Sequence, residues 1–208
     1  MCGILTLFGD EVEVSPYLLS HRGPDDYRTK TLGKCRMDFY RLAINDLTEA
    51  GMQPFRRGDE MLVCNGEIYN HRDYRDGKEM SKSDCEVLLP LIKDCGMMKT
   101  LDLINGDFAF VWTNGRRVMA ARDPVGVRPL FYTRYAENSI AFASEVKALL
   151  FLNSEIHIFP PGHMYDSYIN DFVCYHTGYW HVNKYIKNGF HRQLRETLEH
   201  AVHDRIEN

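Results

Sequence analysis

The chain has 208 residues, 44% of them hydrophobic, and a formal net charge of -4, enough apolar material for one domain with a sizeable core. Charges of both signs are interspersed without long runs, which argues against nucleic acid and an anionic membrane as partners, and no apolar stretch approaches the length of a membrane span. Six cysteines without a C-x-x-C pair and nine histidines without H-E-x-x-H spacing point away from a disulfide framework and a zinc site.

Met1-Cys2-Gly3 opens the chain with no basic segment leading into an apolar stretch, so a cytoplasmic location is expected. Were Met1 removed, Cys2 would carry both a thiol nucleophile and a free α-amine, whose reference pKa of about 7.7 to 8.0 suits a general base near neutral pH. The competing reading is a small buried hydrophobe at the head of a strand. Residues 4–8, closed by Gly9-Asp10, predict that strand. Residues 20–26 are dense in turn formers and charge and predict a loop, with the pre-proline Gly23 biased away from helix. Residues 41–45 read as a strand, and residues 61–64 as another that stops at an Asn65-Gly66 turn.

Ser83-Asp84-Cys85-Glu86 has the form of a capping box, with apolar residues following at helical spacing, and predicts a helix over 84–94 ending near Gly96. Residues 108–112 and 117–121 predict a hairpin joined through Asn114-Gly115 in a type I′ turn. Residues 130–135 and 139–143 form a second strand pair, and residues 163–167 and 172–175 a third, split by Asn170-Asp171. Phe190, Leu194, Leu198, Val202 and Ile206 recur about every fourth position, which specifies an amphipathic helix with one apolar stripe. That helix reads equally well as the start of a further domain and as an element docked on its own core. His200 and His203, one turn apart without a third ligand, read as solvent-facing.

Several segments occur in a telling order: Met1-Cys2-Gly3-Ile4, His21-Arg22-Gly23-Pro24-Asp25, Arg41-Leu42-Ala43-Ile44, Gln53-Pro54, Asn65-Gly66-Glu67-Ile68-Tyr69-Asn70 and Ser83-Asp84-Cys85-Glu86. They are followed by Gly106-Asp107-Phe108-Ala109-Phe110, Arg122-Asp123-Pro124-Val125-Gly126-Val127-Arg128-Pro129-Leu130 and Phe142-Ala143-Ser144-Glu145-Val146-Lys147-Ala148-Leu149. Together they resemble the class II glutamine amidotransferases, specifically the glutaminase domain of glutamine-dependent asparagine synthetases. The resemblance covers nearly the whole chain. It implies an α+β fold of the N-terminal nucleophile hydrolase type, an αββα sandwich of two mostly antiparallel sheets between helix layers. Residues 1–186 would form the glutaminase domain and 187–208 the amphipathic helix.

By the same resemblance, the catalytic set is Cys2, Asn65 and Gly66. Cys2 would attack the side-chain carbonyl of glutamine, while the Asn65 amide and the Gly66 N–H would meet the developing oxyanion. Arg41 would pair with the substrate α-carboxylate, Glu67 and Asp84 would hold the α-ammonium, and Leu42, Ala43, Ile44 and Asn45 would line the pocket. Asp84 has an independent local reason to be acidic, since it stands in a first helical turn. The loop at 21–25 is a solvent-facing turn on its own terms and a lid over the substrate by resemblance.

Two positions depart from the pattern: Phe39 where the family commonly has histidine, and Lys82 where it favours glycine. They bear on pocket shape and glutamine affinity. No metal or cofactor is expected in this chain; ATP and magnesium are expected only in the absent synthetase domain, whose Ser-Gly-Gly-x-Asp-Ser loop does not occur in the sequence. The expected partners are glutamine as substrate and a synthetase domain or subunit that receives the ammonia, with a homodimer left open. Three alternatives remain: an amidotransferase serving another acceptor, a non-catalytic module that binds glutamine or docks on a synthetase, and an N-terminal nucleophile hydrolase for some other amide, which would make the Arg41 and Asp84 pair coincidental.

Overall fold

The computed structural model describes residues 1–177 and 190–206. In chain order these residues form β1 (Gly3–Phe8), β2 (Asp26–Leu32), β3 (Cys35–Arg41), β4 (Phe55–Arg57), β5 (Glu60–Ile68), α1 (Leu88–Cys95), α2 (Met97–Leu103), β6 (Gly106–Thr113) and β7 (Val118–Arg122). There follow β8 (Phe131–Ala136), β9 (Ser139–Ala143), β10 (His157–Ile158), β11 (His163–Asp166), β12 (Asp171–Cys174) and α3 (Phe190–Ile206). Two six-stranded sheets result, ordered β10-β8-β9-β1-β3-β2 and β12-β11-β7-β6-β5-β4, and their pairings are antiparallel. The expected boundary between 186 and 187 lies outside the described residues.

Strand alternation decides what faces what. In β1, Ile4 and Phe8 point into the space between the sheets, where they meet Met37 and Phe39 of β3, Val63 of β5, Val111 of β6 and Phe142 of β9. Leu5 and Leu7 point the other way, onto Val14, Leu19, Ala148 and Leu149. The outer face of the second sheet, with Leu62, Phe108 and Phe110, is covered by Leu88 and Ile92 of α1 and Met97 and Leu101 of α2. Each such fully buried side chain contributes about 1.5 to 3 kcal/mol. The sandwich therefore has the expected two sheets, but its outer layers differ. Among the described residues, the first sheet is covered by the loop through Val14 and Leu19 and by 3-10 turns at Val146–Ala148 and Leu150–Leu152, rather than by α-helices.

Several local expectations are corrected. β5 does not stop at Asn65-Gly66; it continues to Ile68, with Asn65 opposite Ala109 and Gly66 opposite Phe108. Glycine serves close strand packing there, since a Cβ on residue 66 would lie 2.3 Å from the Asp107 carbonyl oxygen. β3 ends at Arg41, so residues 42–45 form no strand. Their backbone bonds to side chains instead: Leu42 N–H to the Cys2 thiol and Ala43 N–H to Asp25.

The capping box does not form. Ser83 makes no cap hydrogen bond, and the Glu86 carboxylate accepts from the N–H groups of Met80 and Ser81 and from the Ser81 hydroxyl. The first turn, Asp84–Val87, is 3-10, and α1 begins at Leu88. It ends at Gly96, as expected, with φ +79°; α2, which starts immediately after, has no counterpart in the sequence reading. The β6–β7 loop is not type I′. Gly115 has φ +81° while Asn114 does not adopt a positive φ, and the Asn114 side chain instead accepts from the N–H groups of Arg116 and Arg117.

The apolar stripe of α3 is exposed, and the helix touches the body through polar groups at its far end. Asp204 accepts from Asn105 at 3.4 Å, and the Arg205 guanidinium lies 4.5 Å from the centre of the Tyr69 ring. Among the described residues no helix is long and apolar enough to cross a membrane.

Candidate active site

β1 and β3 lie side by side and antiparallel, with Gly3 opposite Tyr40, so the residue before β1 meets the residues after β3. Cys2 thus stands against Leu42, whose N–H donates to the thiol sulfur at 3.4 Å while the thiol lies 3.5 Å from the Leu42 carbonyl oxygen. Burial pushes the Cys2 thiol above its ordinary 9.0, opposed by the Leu42 backbone bond, the N-terminal ammonium and Arg41. Arg22, on the loop after β1, donates from Nε to the Cys2 carbonyl oxygen at 3.0 Å. His21 of the same loop contacts Glu145 at 2.9 Å.

The second wall is the edge of β5. β4 pairs with β5 only as far as Phe55 opposite Leu62, so beyond that point the edge has no strand beside it among the described residues. Side chains take its place. Cys64 N–H donates to Gln53 Oε1 at 2.6 Å and Gln53 Nε2 donates to the Cys64 carbonyl at 3.1 Å, while Ile68 N–H donates to Asp84 Oδ2 at 2.7 Å. In an antiparallel strand, alternate residues direct their N–H and C=O to the same edge. Gly66 therefore presents its N–H on the edge of Cys64 and Ile68, and its carbonyl lies 3.5 Å from the Cys85 sulfur. Asn65, buried, holds its Nδ2 with no hydrogen-bond partner among the described residues.

Charged groups complete the floor. Buried Arg41 donates to the Asp46 carbonyl. Asp84, also buried, accepts from Asn45 Nδ2 at 3.2 Å in addition to Ile68. Glu67 pairs with Arg128 at 3.0 Å. A cavity of about 140 Å³ is lined by every expected site residue: Cys2, Arg41, Leu42, Ala43, Ile44, Asn45, Asn65, Gly66, Glu67 and Asp84. The sequence reading gave no role to three other lining residues, Gln53, Cys85 and Arg128, although each stands in a quoted motif. Phe39 lines the same cavity and at the same time packs in the core between the sheets, which is why an apolar ring is tolerated there.

Cationic Arg41 and anionic Asp84 with Glu67 give the cavity poles of opposite charge, suited to a small zwitterion. A buried amide donor and a strand-edge N–H that line one cavity with a thiol suit a developing oxyanion.

A model of the glutamine amidotransferase domain family matches residues 1–185. The chain is 38% identical over 200 residues to a probable glutamine-hydrolysing asparagine synthetase of Dictyostelium discoideum, covering 86% of this chain and 36% of that protein. A probable glutamine-hydrolysing asparagine synthetase of Schizosaccharomyces pombe is 35% identical over 228 residues, covering 99% of this chain and 41% of the relative. The chain thus spans less than half the length of these curated relatives. Among solved structures, the glutamine phosphoribosylpyrophosphate amidotransferase of B. subtilis superposes with a TM-score of 0.66 at 22% identity, over 85% of this chain and 50% of that one. The chain belongs to the glutamine amidotransferase domain family, in its class II form with the N-terminal nucleophile hydrolase fold.

Proposed function

We propose that the chain hydrolyses the side-chain amide of glutamine to glutamate and ammonia, with Cys2 as nucleophile. The observation that carries the reading is the buried, unpartnered Nδ2 of Asn65 lining the same cavity as the Cys2 thiol. An idle donor in such a place costs stability, of order 1 to 3 kcal/mol, and a charge that appears there during reaction would supply the missing partner.

In this reading Arg41 takes the α-carboxylate, and Asp84 with Glu67 takes the α-ammonium. Removal of Met1 frees the α-amine of Cys2. That amine accepts the thiol proton and delivers it to the leaving ammonia as the thioester forms. Water then attacks the thioester, releasing glutamate and restoring the thiol. The negative oxygen of each tetrahedral intermediate is met by Asn65 Nδ2 and the Gly66 N–H. The loop at 21–25 acts as a lid, latched through Glu145.

No cofactor is needed for this hydrolysis; ATP and magnesium would serve the ammonia acceptor. The acceptor, on the identity to asparagine synthetases, is a synthetase domain or subunit that amidates aspartate. A cytoplasmic location fits the six free cysteines.

Met1-processed protein incubated with glutamine should release glutamate and ammonia, and the Cys2→Ala variant should not. Equal release from the two would sink the proposal, and glutamine binding without turnover would favour a binding module. Mass spectrometry of the mature N-terminus checks the precondition that Met1 is gone.

A further inference from the structure

Phe55 lies opposite Leu62, so a continued β4 would place residue 53 opposite Cys64. Gln53 holds that place with its side chain, and its amide makes both bonds that a neighbouring strand would make to Cys64, at 2.6 and 3.1 Å. The orientation of the amide is fixed, because a backbone N–H can only donate and a carbonyl can only accept. A side-chain amide is chemically a peptide group on a tether. It closes the ladder at Cys64 without a following residue to pair with Gly66. A backbone strand continuing past this point would engage the Gly66 N–H; Gln53 ends the pairing one step earlier. Asp84 then secures Ile68 on the far side. Both Gln53 and Cys64 are buried, at 5% and 1% exposure, so water competes little for these bonds.

We propose that Gln53 is a positioning residue for the oxyanion site. It acts through Cys64, fixing the strand immediately before Asn65 and Gly66 while leaving the Gly66 N–H free to meet substrate. This inference rests on the glutaminase reading above. Its signature follows from where the oxyanion exists: charge develops only in the transition state, so a loosened site lowers kcat and leaves KM nearly unchanged.

The test is Gln53→Glu, which keeps size and shape but sets an oxygen against the Cys64 carbonyl. When ionised, the introduced carboxyl repels that carbonyl; when protonated, it donates to it as Nε2 does. Burial raises the pKa of such a carboxyl above its ordinary value of about 4.3. At pH 8 the variant should lose tenfold or more in kcat, on the scale of a misaligned oxyanion donor, with KM within about twofold. The ratio of variant to wild-type kcat should recover as the pH is lowered towards 6. Gln53→Leu should lose kcat without recovering at any pH.

Hydrogen exchange at the Cys64 amide supplies a readout independent of turnover: it should be slow in the wild type and faster in Gln53→Ala. Wild-type kcat for Gln53→Leu, or a loss in Gln53→Glu that is the same at every pH, would overturn the positioning role. Failure of the glutaminase reading looks different: wild-type protein would release no ammonia above the Cys2→Ala control, removing the positioning role with it, while exchange at Cys64 would still report the clamp.

Discussion

Arg22 donates from Nε to the Cys2 carbonyl oxygen at 3.0 Å and from one terminal nitrogen to Glu145 at 3.2 Å. One guanidinium thereby joins the loop at 21–25, the backbone of Cys2 and the segment after β9. Arg22→Ala should lower glutamine turnover about tenfold or more, the scale of a lost hydrogen bond to a charged group. Arg22→Lys should not rescue it, because a single ammonium cannot serve both acceptors in that geometry. Ammonia release under saturating glutamine measures both, and unchanged turnover in Arg22→Ala would remove the residue from the machinery.

Glu145 predicts a pH effect. Burial alone would raise its pKa, but hydrogen bonds to His21 and Arg22 and the charges of His21 and Lys147 bring it below its ordinary 4.5. A carboxyl depressed by folding contributes stability that is present above its unfolded value and is lost as the pH falls through the folded one. The difference in unfolding midpoint between wild type and Glu145→Gln should therefore be largest near pH 7 and shrink below about pH 4. Urea titrations at several pH values show whether it does.

Asn65→Ala should reduce kcat by about 10² to 10³, the usual cost of removing one oxyanion donor, with KM little changed. Asn65→Asp should be as poor, because a carboxylate only accepts. A rise in KM with intact kcat would instead assign Asn65 to ground-state binding.

Gly66→Ala tests packing. The added Cβ would stand 2.3 Å from the Asp107 carbonyl oxygen and 2.7 Å from Phe108 Cα, and both are backbone atoms that cannot swing aside. Unfolding free energy should fall by about 1 to 3 kcal/mol, as for other overpacked sites, together with turnover. Denaturant unfolding at wild-type stability would show that β5 and β6 can part at this point.

The Cys2 thiol, raised above 9.0 by burial, should be slow to alkylate at pH 7 in protein that retains Met1, and its rate should still be rising beyond pH 9. Removing Met1 places an ammonium on Cys2 itself, which favours the thiolate, so the same rate at pH 7 should increase. Mass spectrometry of the N-terminal peptide separates Cys2 from the exposed Cys95 and Cys174. Identical alkylation profiles for the two forms would contradict this electrostatic account.

Much of the molecule is legible in order along the chain. Strands at 4–8, 130–135 and 139–143 declare themselves through apolar runs broken by turn formers, and the structure has β1, β8 and β9 there. The misreadings share one cause, which is that a local pattern is judged by its commonest local use. Asn-Gly at 65–66 looks like a turn, yet its glycine answers to Asp107 on the next strand. Ser83 and Glu86 look like a reciprocal cap, but Glu86 finds better donors in the backbone of Met80 and Ser81. The strand expected at 41–45 stops at Arg41, because its antiparallel neighbours begin there, β1 at Gly3 opposite Tyr40 and β2 at Asp26 opposite Arg41.

By itself, the sequence determined the family and the identities of the groups the cavity needs, since a thiol, an amide, a guanidinium and carboxylates are visible as letters and their order resembles a known pattern. It could not decide which backbone groups remain unpaired. The free edge at Gly66, the Gln53 amide standing in for a strand, and the Leu42 backbone against Cys2 exist only because sheet pairing brings residues distant in sequence to hydrogen-bond distance and then stops. Hydrogen-bond saturation is a property of the whole fold, so only the tertiary structure shows which donors are left over.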